Sequence, residues 1–203
     1  MSSAVDFFVS SPSSPRSPVY LEPKALERAC RMERLRRSGP GGQNRNKVET
    51  AVRFRHPATG LVGEATERRY QGENRKIALE RLRIEIALTV RNPVPSSLRF
   101  PADGSLGALE NLNASPNAAR ASLRWFERLQ GGKIRVAPTN FDYAILVSEF
   151  FDVFEAKDEN LPATAAALET TASQIVRFLS AVPKCLEELN RRRARLGLSR
   201  LKP

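Results

Sequence analysis

A glycine- and proline-rich segment at residues 38–47 constrains the fold of this chain more than any other stretch. It reads Ser-Gly-Pro-Gly-Gly-Gln-Asn-Arg-Asn-Lys, and this density of glycine and proline excludes both a helix and a strand. Gly41 and Gly42 permit backbone angles and close approaches that other residues avoid. The sequence therefore predicts a turned Gly-Gly-Gln segment, with the neutral amide of Gln43 at its tip and cations at its base. Taken alone, such a segment is more typical of a generic anion-binding turn.

The charge of the chain is concentrated around this segment. The net charge is +11, and residues 24–91 hold 17 Lys and Arg against 8 Asp and Glu, which gives them +9 of that total. A strongly basic protein most often binds a polyanion such as nucleic acid, and a merely soluble charged surface is the alternative. The polyanion-binding surface is therefore predicted in the part of the chain that holds the Gly-Gly-Gln segment.

Composition excludes several other classes of protein. Cys30 and Cys185 are far apart, and His56 is the single histidine, so no metal site and no cofactor are expected. The longest apolar runs fall short of a membrane span, and the first residues lack the order of a secretory signal. A cytoplasmic protein without a membrane partner is the expectation.

The 203 residues suffice for two small domains, and composition places the boundaries. Residues 1–20 are rich in Ser and Pro and are interpreted as a disordered arm. Residues 21–91 form the domain with the Gly-Gly-Gln segment, residues 92–117 form a linker rich in Pro, Gly, Asn and Ser, and residues 118–203 form a helical domain with a basic C-terminal tail. The predicted fold class is α+β, a short sheet with a packed helix followed by an all-α domain.

Within the first domain, residues 22–29 predict a short helix. Residues 30–35 alternate as a strand does, although an extension of that helix competes with this interpretation. Residues 51–66 predict a hairpin around the turn signal at 57–60, and residues 74–90 predict a helix that packs its apolar stripe on the hairpin.

The second domain is predicted to be a set of helices. Residues 118–130 predict a helix that Gly131 and Gly132 end, and residues 141–156 predict a buried central helix because they are apolar almost all round. Residues 161–180 predict two short helices about a tight turn, and residues 183–195 predict a last helix. The short pair is typical either of a packing unit or, less often, of a DNA-binding helix-turn-helix.

A series of short motifs follows in order from Arg37. They are Arg37-Ser38-Gly39, Gly41-Gly42-Gln43, Asn46-Lys47, Ala51-Val52-Arg53, His56, Thr59-Gly60, Glu67-Arg68, Gln71, Asn74-Arg75 and Ala78-Leu79. With these motifs, the region resembles the catalytic domain of class-I peptide chain release factors and of small ribosome-rescue peptidyl-tRNA hydrolases. Arg45 departs from the family pattern, because the family usually carries an apolar residue there, and the Gly-Gly-Gln is intact.

This resemblance implies a ribosome-dependent hydrolysis. The substrate would be the ester that joins the peptide to P-site tRNA in the peptidyl transferase centre of the large subunit. By likeness, the backbone N–H of Gln43 would stabilise the developing negative charge, its side chain would position water, and Gly41 and Gly42 would permit the backbone geometry. The sequence shows no Ser-His-Asp set, and a lone His56 on a hairpin is more often structural.

The resemblance also implies contacts with RNA. Residues close to the Gly-Gly-Gln would hold it against ribosomal RNA and tRNA, namely Arg37, Ser38, Arg45, Asn46 and Lys47. Other cations are candidates for broader phosphate contacts, namely Arg53, Arg55, Arg68, Arg69, Arg75 and Lys76. A basic tail with Arg191, Arg192, Arg193 and Arg195 is either a solvated helix end or an RNA-contacting tail, which rescue hydrolases place in the empty mRNA channel.

Stop-codon reading is not expected, because only about 36 residues precede the matching region and full release factors read the codon with large preceding domains. The leading hypothesis is a codon-independent peptidyl-tRNA hydrolase acting on stalled ribosomes. A ribosome- or rRNA-binding module without hydrolysis is the first alternative. A nucleic-acid-binding regulator that acts through residues 161–180 is the second.

Overall fold

The computed structural model describes residues 17–35, 50–92 and 122–203. A 3-10 turn at Pro18–Tyr20 precedes the first helix. The helices and strands that follow in chain order are α1 (Pro23–Ala29), β1 (Arg31–Leu35), β2 (Ala51–Arg55), β3 (Val62–Ala65), α2 (Gln71–Thr89), α3 (Leu123–Arg128), β4 (Leu129–Gln130), β5 (Lys133–Ile134), α4 (Phe141–Ala156), α5 (Leu161–Ala167), α6 (Ala172–Ser180) and α7 (Pro183–Arg195). The α+β class predicted from the sequence is confirmed.

The first three strands form an antiparallel sheet in the order β1-β2-β3, and α2 packs on β2 and β3. This confirms the predicted hairpin and its covering helix. Helix α1 ends at Ala29, because Cys30 adopts extended backbone angles. The strand interpretation of residues 30–35 is therefore correct, and the competing helix extension is wrong.

Helix α2 begins at Gln71, three residues before the predicted start. The carbonyl of Tyr70 accepts hydrogen bonds from the amides of Glu73 and Asn74, which closes the first turn there. One row of side chains at i, i+4 spacing is fully buried against the sheet and consists of Asn74, Ala78, Leu82 and Ile86. The row that fixes α2 on the sheet therefore begins with a polar residue.

The helix predicted over residues 118–130 ends earlier than expected. Helix α3 ends at Arg128, and the next residues form the small hairpin of β4 and β5. Gly131 and Gly132 both have positive φ, 55° and 71°, and two such residues in succession make a two-residue turn that matches strand twist. The two glycines therefore turn a hairpin instead of capping a helix.

Helix α4 is the buried centre of the helical part, as predicted. Every residue from 143 to 154 is buried, and Phe150, Phe151 and Phe154 pack on one another with ring centroids 5.0 to 6.4 Å apart. A second aromatic group joins α4 to α3 and α6, because Phe178 contacts both Trp125 and Tyr143. None of the helices within the described ranges is both long and apolar enough to cross a bilayer.

The sheet-bearing part and the helical part pack directly on each other. Arg83 of α2 is 6% exposed and donates through Nη2 to the carbonyls of Val19 at 3.1 Å and Phe141 at 2.9 Å. Its guanidinium lies 4.1 Å from the centroid of the Phe141 ring. Burial lowers the pKa of Arg83 to about 10, so the group stays charged at neutral pH. The proposed division into two domains thus coexists with a shared hydrophobic core among the described residues.

Two buried carboxylates of α4 hold both chain ends that flank residues 93–121. Asp152 accepts hydrogen bonds from the backbone amide of Asn92 at 3.2 Å and from its side chain at 2.9 Å. Glu149 accepts from the hydroxyl of Ser122 at 2.9 Å and from its backbone amide. Residues at i, i+3 on a helix lie about 5–6 Å apart, so the chain leaves and re-enters the described structure at one place on α4.

The buried carboxyl of Glu149 should make the free energy of unfolding fall as pH rises. Burial raises the pKa of its carboxyl from 4.5 to about 7, although the bonds from Ser122 oppose the shift. Between about pH 4.5 and 7 the unfolded chain loses this proton while the folded protein keeps it, so the free energy of unfolding falls as pH rises. We expect a loss of up to about 3 kcal/mol from this group between pH 4.5 and 8.

Urea unfolding at pH 5 and pH 8 measures this effect, with Glu149→Gln as the control. The glutamine does not titrate, whereas Asp152 and the arginines near it are present in both proteins. The unaltered protein should therefore lose more stability between the two pH values than the variant does. An equal loss in the two proteins would contradict the assignment to Glu149.

The chain returns along α7 after that helix ends. Gly197 has a φ of 71°, and the amide of Leu198 donates to the carbonyl of Arg193 at 3.0 Å, which caps the helix. Two hydrogen bonds then join Asn190 to Leu201. Nδ2 of Asn190 donates to the carbonyl of Leu201 at 3.0 Å, and the backbone amide of Leu201 donates to Oδ1 of Asn190 at 2.8 Å. The expected basic tail is thus packed against its own helix.

Candidate functional site

The predicted catalytic residues Gly41, Gly42 and Gln43 lie outside the described residues. The same holds for five predicted RNA contacts, namely Arg37, Ser38, Arg45, Asn46 and Lys47. The structure does describe both chain ends that carry them. Leu35 ends β1, Ala51 begins β2, and the two are partners in the antiparallel register. The chain therefore leaves the sheet and returns to it at the same end of the β1–β2 pair, which fixes where the Gly-Gly-Gln segment is attached.

Asn74 ties this attachment point to α2 and to the β3–α2 loop. Its Nδ2 donates to the carbonyl of Thr50 at 2.8 Å and to the carbonyl of Arg68 at 2.9 Å. Its Oδ1 accepts from the amide of Arg68 at 2.9 Å. The opposite orientation of this amide would place its oxygen against two carbonyl oxygens, so the hydrogen-bond network fixes the orientation. A fully buried side chain thus holds the last residue before β2.

A second polar contact braces the same loop. Glu67 accepts from the amide of Thr66 at 2.8 Å and pairs with Arg81 of α2, which also donates to the carbonyl of Glu64 at 2.7 Å. Partial burial alone would raise the pKa of Glu67, but the backbone bond from Thr66 and the Arg81 guanidinium together lower it. The loop is therefore held at Glu67 by Arg81 and at Arg68 by Asn74.

His56 lies at the opposite end of the sheet. It is 5% exposed, its Nδ1 is 3.0 Å from Oγ1 of Thr59, and its backbone amide donates to the carbonyl of Leu61 at 2.9 Å. Burial lowers the pKa of His56. These contacts close the hairpin turn, so the structural interpretation of this histidine is confirmed.

The exposed cations that were predicted to contact RNA in the sheet-bearing part divide into two groups. Arg68, Arg69 and Lys76 are exposed. They lie in the β3–α2 loop and in the first turns of α2, which Asn74 joins to Thr50. Arg75 is there too, with its guanidinium paired to Glu27 and its pKa raised by that hydrogen bond. Arg55 is exposed at the far end of β2, about 13 Å along the strand from Ala51. The structure thus brings four of the predicted RNA contacts near the attachment point and leaves Arg55 apart.

Arg53 is occupied by the sheet itself. It lies opposite Glu33 on β1 and Glu64 on β3, and its guanidinium contacts their carboxylates at 3.6 Å and 2.8 Å. The hydrogen bond that Arg53 donates to Glu64 raises the pKa of Arg53. The ladder of three charges crosses all three strands, so Arg53 contributes to strand pairing more directly than to a free basic surface.

The four arginines of α7 have different surroundings. Arg192 is 9% exposed and contacts Glu188 at 3.0 Å, Glu159 at 3.2 Å and Glu155 at 3.4 Å. Arg193 donates to the carbonyl of Ser199. The prediction of an RNA contact at Arg192 is therefore a poor fit, because its donors are directed inward to carboxylates. Arg191, which pairs with Glu188, and Arg195 are exposed.

The predicted pair of short helices exists as α5 and α6. Its second helix buries Ile175, Val176, Phe178 and Leu179, and its exposed face carries a single cation, Arg177. Binding to a phosphate backbone requires several cations on one face. The surroundings of α6 are therefore those of a packing unit.

Sequence reasoning missed the structural role of Asn74, although a signal was present. The residues four and eight positions later, Ala78 and Leu82, belong to an apolar i, i+4 row. An Asn at the start of a buried row must find partners for its amide, because an unpaired buried amide is costly. Among residues 17–35, 50–92 and 122–203, no three His, Cys, Asp or Glu side chains are grouped so that they could hold a metal ion.

Comparison with known proteins supports the resemblance. Residues 22–97 match the family model of the RF-1 domain. The chain is 48% identical over 54 residues to a probable mitochondrial peptide chain release factor 1 of Caenorhabditis elegans, a match that covers 27% of this chain and 14% of that protein. It is 47% identical over 55 residues to peptide chain release factor 1 of Chloroherpeton thalassium, covering 27% of this chain and 15% of the relative.

The human mitochondrial peptide chain release factor 1 is 43% identical over 68 residues, which are 34% of this chain and 14% of that protein. The chain thus spans less than a fifth of the length of the release factors described here. The match includes β1, the hairpin, α2 and the attachment point that Asn74 holds. Residues 22–97 are therefore similar to the RF-1 domain of peptide chain release factors, and this similarity covers about a third of the chain.

Proposed function

We propose that this protein hydrolyses peptidyl-tRNA on the ribosome without reading a codon and thereby releases nascent peptides from stalled ribosomes. The observation that carries the proposal is an RF-1 domain with an intact Gly41-Gly42-Gln43. The family match covers residues 22–97, and helices of residues 122–203 pack on that part of the chain. The proposal takes peptide release from the matched part and includes no stop-codon recognition.

In the proposed reaction, a water oxygen adds to the carbonyl carbon of the ester between peptide and tRNA. The bond from that carbon to the ribose oxygen breaks, the ribose oxygen takes a proton, and the peptide leaves as a free acid. The backbone N–H of Gln43 would stabilise the oxyanion, and its side chain would position the water. No cofactor enters this scheme, because the ribosome and the tRNA supply the remaining groups.

The contacts with RNA are proposed around the attachment point. Arg37, Ser38, Arg45, Asn46 and Lys47 would position the Gly-Gly-Gln segment against large-subunit rRNA and P-site tRNA. Arg68, Arg69, Arg75 and Lys76 would add phosphate contacts, and Arg191 and Arg195 are the candidates on α7. In a contact with the mRNA channel, residues 196–203 would keep their packed position on α7, because Asn190 and Arg193 hold them there.

A release assay on purified ribosomes that hold peptidyl-tRNA tests the proposal. Three complexes are compared, with an mRNA that ends at the P site, a sense codon in the A site, or a stop codon in the A site. Release on the truncated mRNA is the expected result. Release at the stop codon alone would contradict codon independence, and binding without any release would favour a docking module.

The cations near the attachment point give a further prediction. Replacing Arg68 and Arg69 with glutamine should weaken binding to ribosomes and lower the salt-dependence exponent of the affinity by about 2, roughly one per phosphate contact. Both side chains are exposed, so the thermal midpoint should not change. The matched control is Arg177→Gln on α6. A salt dependence equal to that of the control would rule these two residues out as phosphate contacts.

A further inference from the structure

Asn74 has an arrangement that structural packing alone does not require. It is 0% exposed at the first position of the buried row Asn74, Ala78, Leu82 and Ile86 of α2. The three later positions are filled by apolar side chains, and an apolar residue would complete the row without any polar requirement. The amide instead uses both its donors and its acceptor on the backbone of two other segments.

The first of these two contacts is at Thr50, where the chain returns to the sheet after the Gly-Gly-Gln segment. Thr50 immediately precedes β2, and its carbonyl accepts from Asn74 at 2.8 Å. The other end of residues 36–49 is held by the pairing of Leu35 with Ala51. The side-chain bond from Asn74 therefore links the returning chain to a 19-residue helix that is itself packed on the sheet and on α4.

The second segment carries proposed RNA contacts. Asn74 donates to the carbonyl of Arg68 and accepts from its amide, which fixes the backbone that bears Arg68 and Arg69. The same side chain thus sets the position of Thr50 relative to two cations. A catalytic group that is displaced by about 1 Å loses on the order of 100-fold in rate, so a fixed relation between the two elements has a direct consequence for release.

We infer that Asn74 is a positioning residue, which aligns the returning end of the Gly-Gly-Gln segment with the basic surface so that peptide release depends on it without contact to the substrate. The inference rests on the proposed function. It differs from a role in stability because it predicts a loss in turnover beyond the loss expected from any equally destabilising change in α2.

The test compares Asn74→Ala with Leu88→Ala at the other end of the same helix. Leu88 is 7% exposed and about 21 Å along α2 from Asn74, so its truncation weakens the fold without touching Thr50. Release on a truncated mRNA should show kcat lowered about 10- to 100-fold in Asn74→Ala, with KM changed less than threefold. In Leu88→Ala, kcat should stay within about twofold when both proteins are assayed below their melting temperatures. Equal kcat values in the two variants would overturn the inference.

Hydrogen exchange separates this inference from the proposed function, because it needs no ribosome. The peptide that contains residues 50–54 should exchange at least about tenfold faster in Asn74→Ala than in Leu88→Ala. If the alanine variant does not fold, Asn74→Ser replaces it, with the same faster exchange expected. In the unaltered protein, the peptide that contains residues 50–54 should be protected from exchange. Fast exchange there in the unaltered protein would also overturn the inference. A failure of the unaltered protein to release peptide would instead count against the proposed function.

Discussion

Replacing Gly42 with alanine is expected to lower the rate of peptide release by about 100-fold or more. A Cβ at this position restricts the backbone angles and keeps the chain from approaching a ligand closely. Loss of one well-placed donor to an oxyanion typically costs 100- to 1000-fold in rate, and the N–H of the next residue, Gln43, is the proposed donor. Single-turnover release from ribosomes with a truncated mRNA measures the effect.

Two controls make this result specific. The thermal midpoint of Gly42→Ala should equal that of the unaltered protein, and binding to ribosomes should change little, since the basic surface is intact. Gly60→Ala serves as a matched variant, because Gly60 lies in the hairpin turn near His56, with a φ of 71° at which alanine is strained. Unchanged release by Gly42→Ala would contradict the proposed hydrolysis and favour a docking module.

Replacing Gly63 with alanine is expected to destabilise the fold by about 3 kcal/mol or more. A Cβ on Gly63 would lie 2.2 Å from the carbonyl oxygen of Ala78, 2.4 Å from the amide nitrogen of Leu82 and 2.7 Å from the Cβ of Leu82. Overpacking a core usually costs about 1–3 kcal/mol, and here the obstacles are backbone atoms of a helix that cannot rotate away. Strand β3 and α2 would have to separate.

Gly72→Ala is the matched control for this prediction. Gly72 lies in the first turn of α2, and a Cβ there would meet nothing within 4 Å. Alanine has the higher helix propensity, so this variant should gain about 0.5 kcal/mol. Urea unfolding of both variants measures the two free energies of unfolding. If Gly63→Ala were as stable as Gly72→Ala, the close packing of β3 on α2 would be wrong.

Much of the fold follows from local sequence patterns. The alternation in residues 51–55, the turn at 57–60 and the apolar character of residues 141–156 each reflect a single element and the side of it that meets the core. Those elements were predicted correctly because periodicity is a property of neighbours in sequence. The two glycines after α3 were misinterpreted, since a helix cap and a hairpin turn both favour positive φ and the choice depends on which residues pair afterwards.

The candidate site divides in the same way. The Gly-Gly-Gln motif and the excess of cations in residues 24–91 are visible in the chain itself, and they indicated the similarity to release factors and predicted a polyanion partner. The fate of individual charges is not visible there, because Arg53 has partners on two other strands and Arg192 has two partners more than 30 positions away. The sequence alone therefore does not reveal that Arg53 and Arg192 are paired with carboxylates.

The sequence by itself determined the class of the fold and most of its helices and strands, and it contains the Gly41-Gly42-Gln43 motif on which the proposed hydrolysis rests. Tertiary structure alone decided that α2 packs on both the sheet and α4, that the chain end folds back on α7, and that Asn74 holds Thr50. The physical reason is that secondary structure depends on contacts between near neighbours. Buried amides and ion pairs instead depend on groups brought together from distant positions when the core forms.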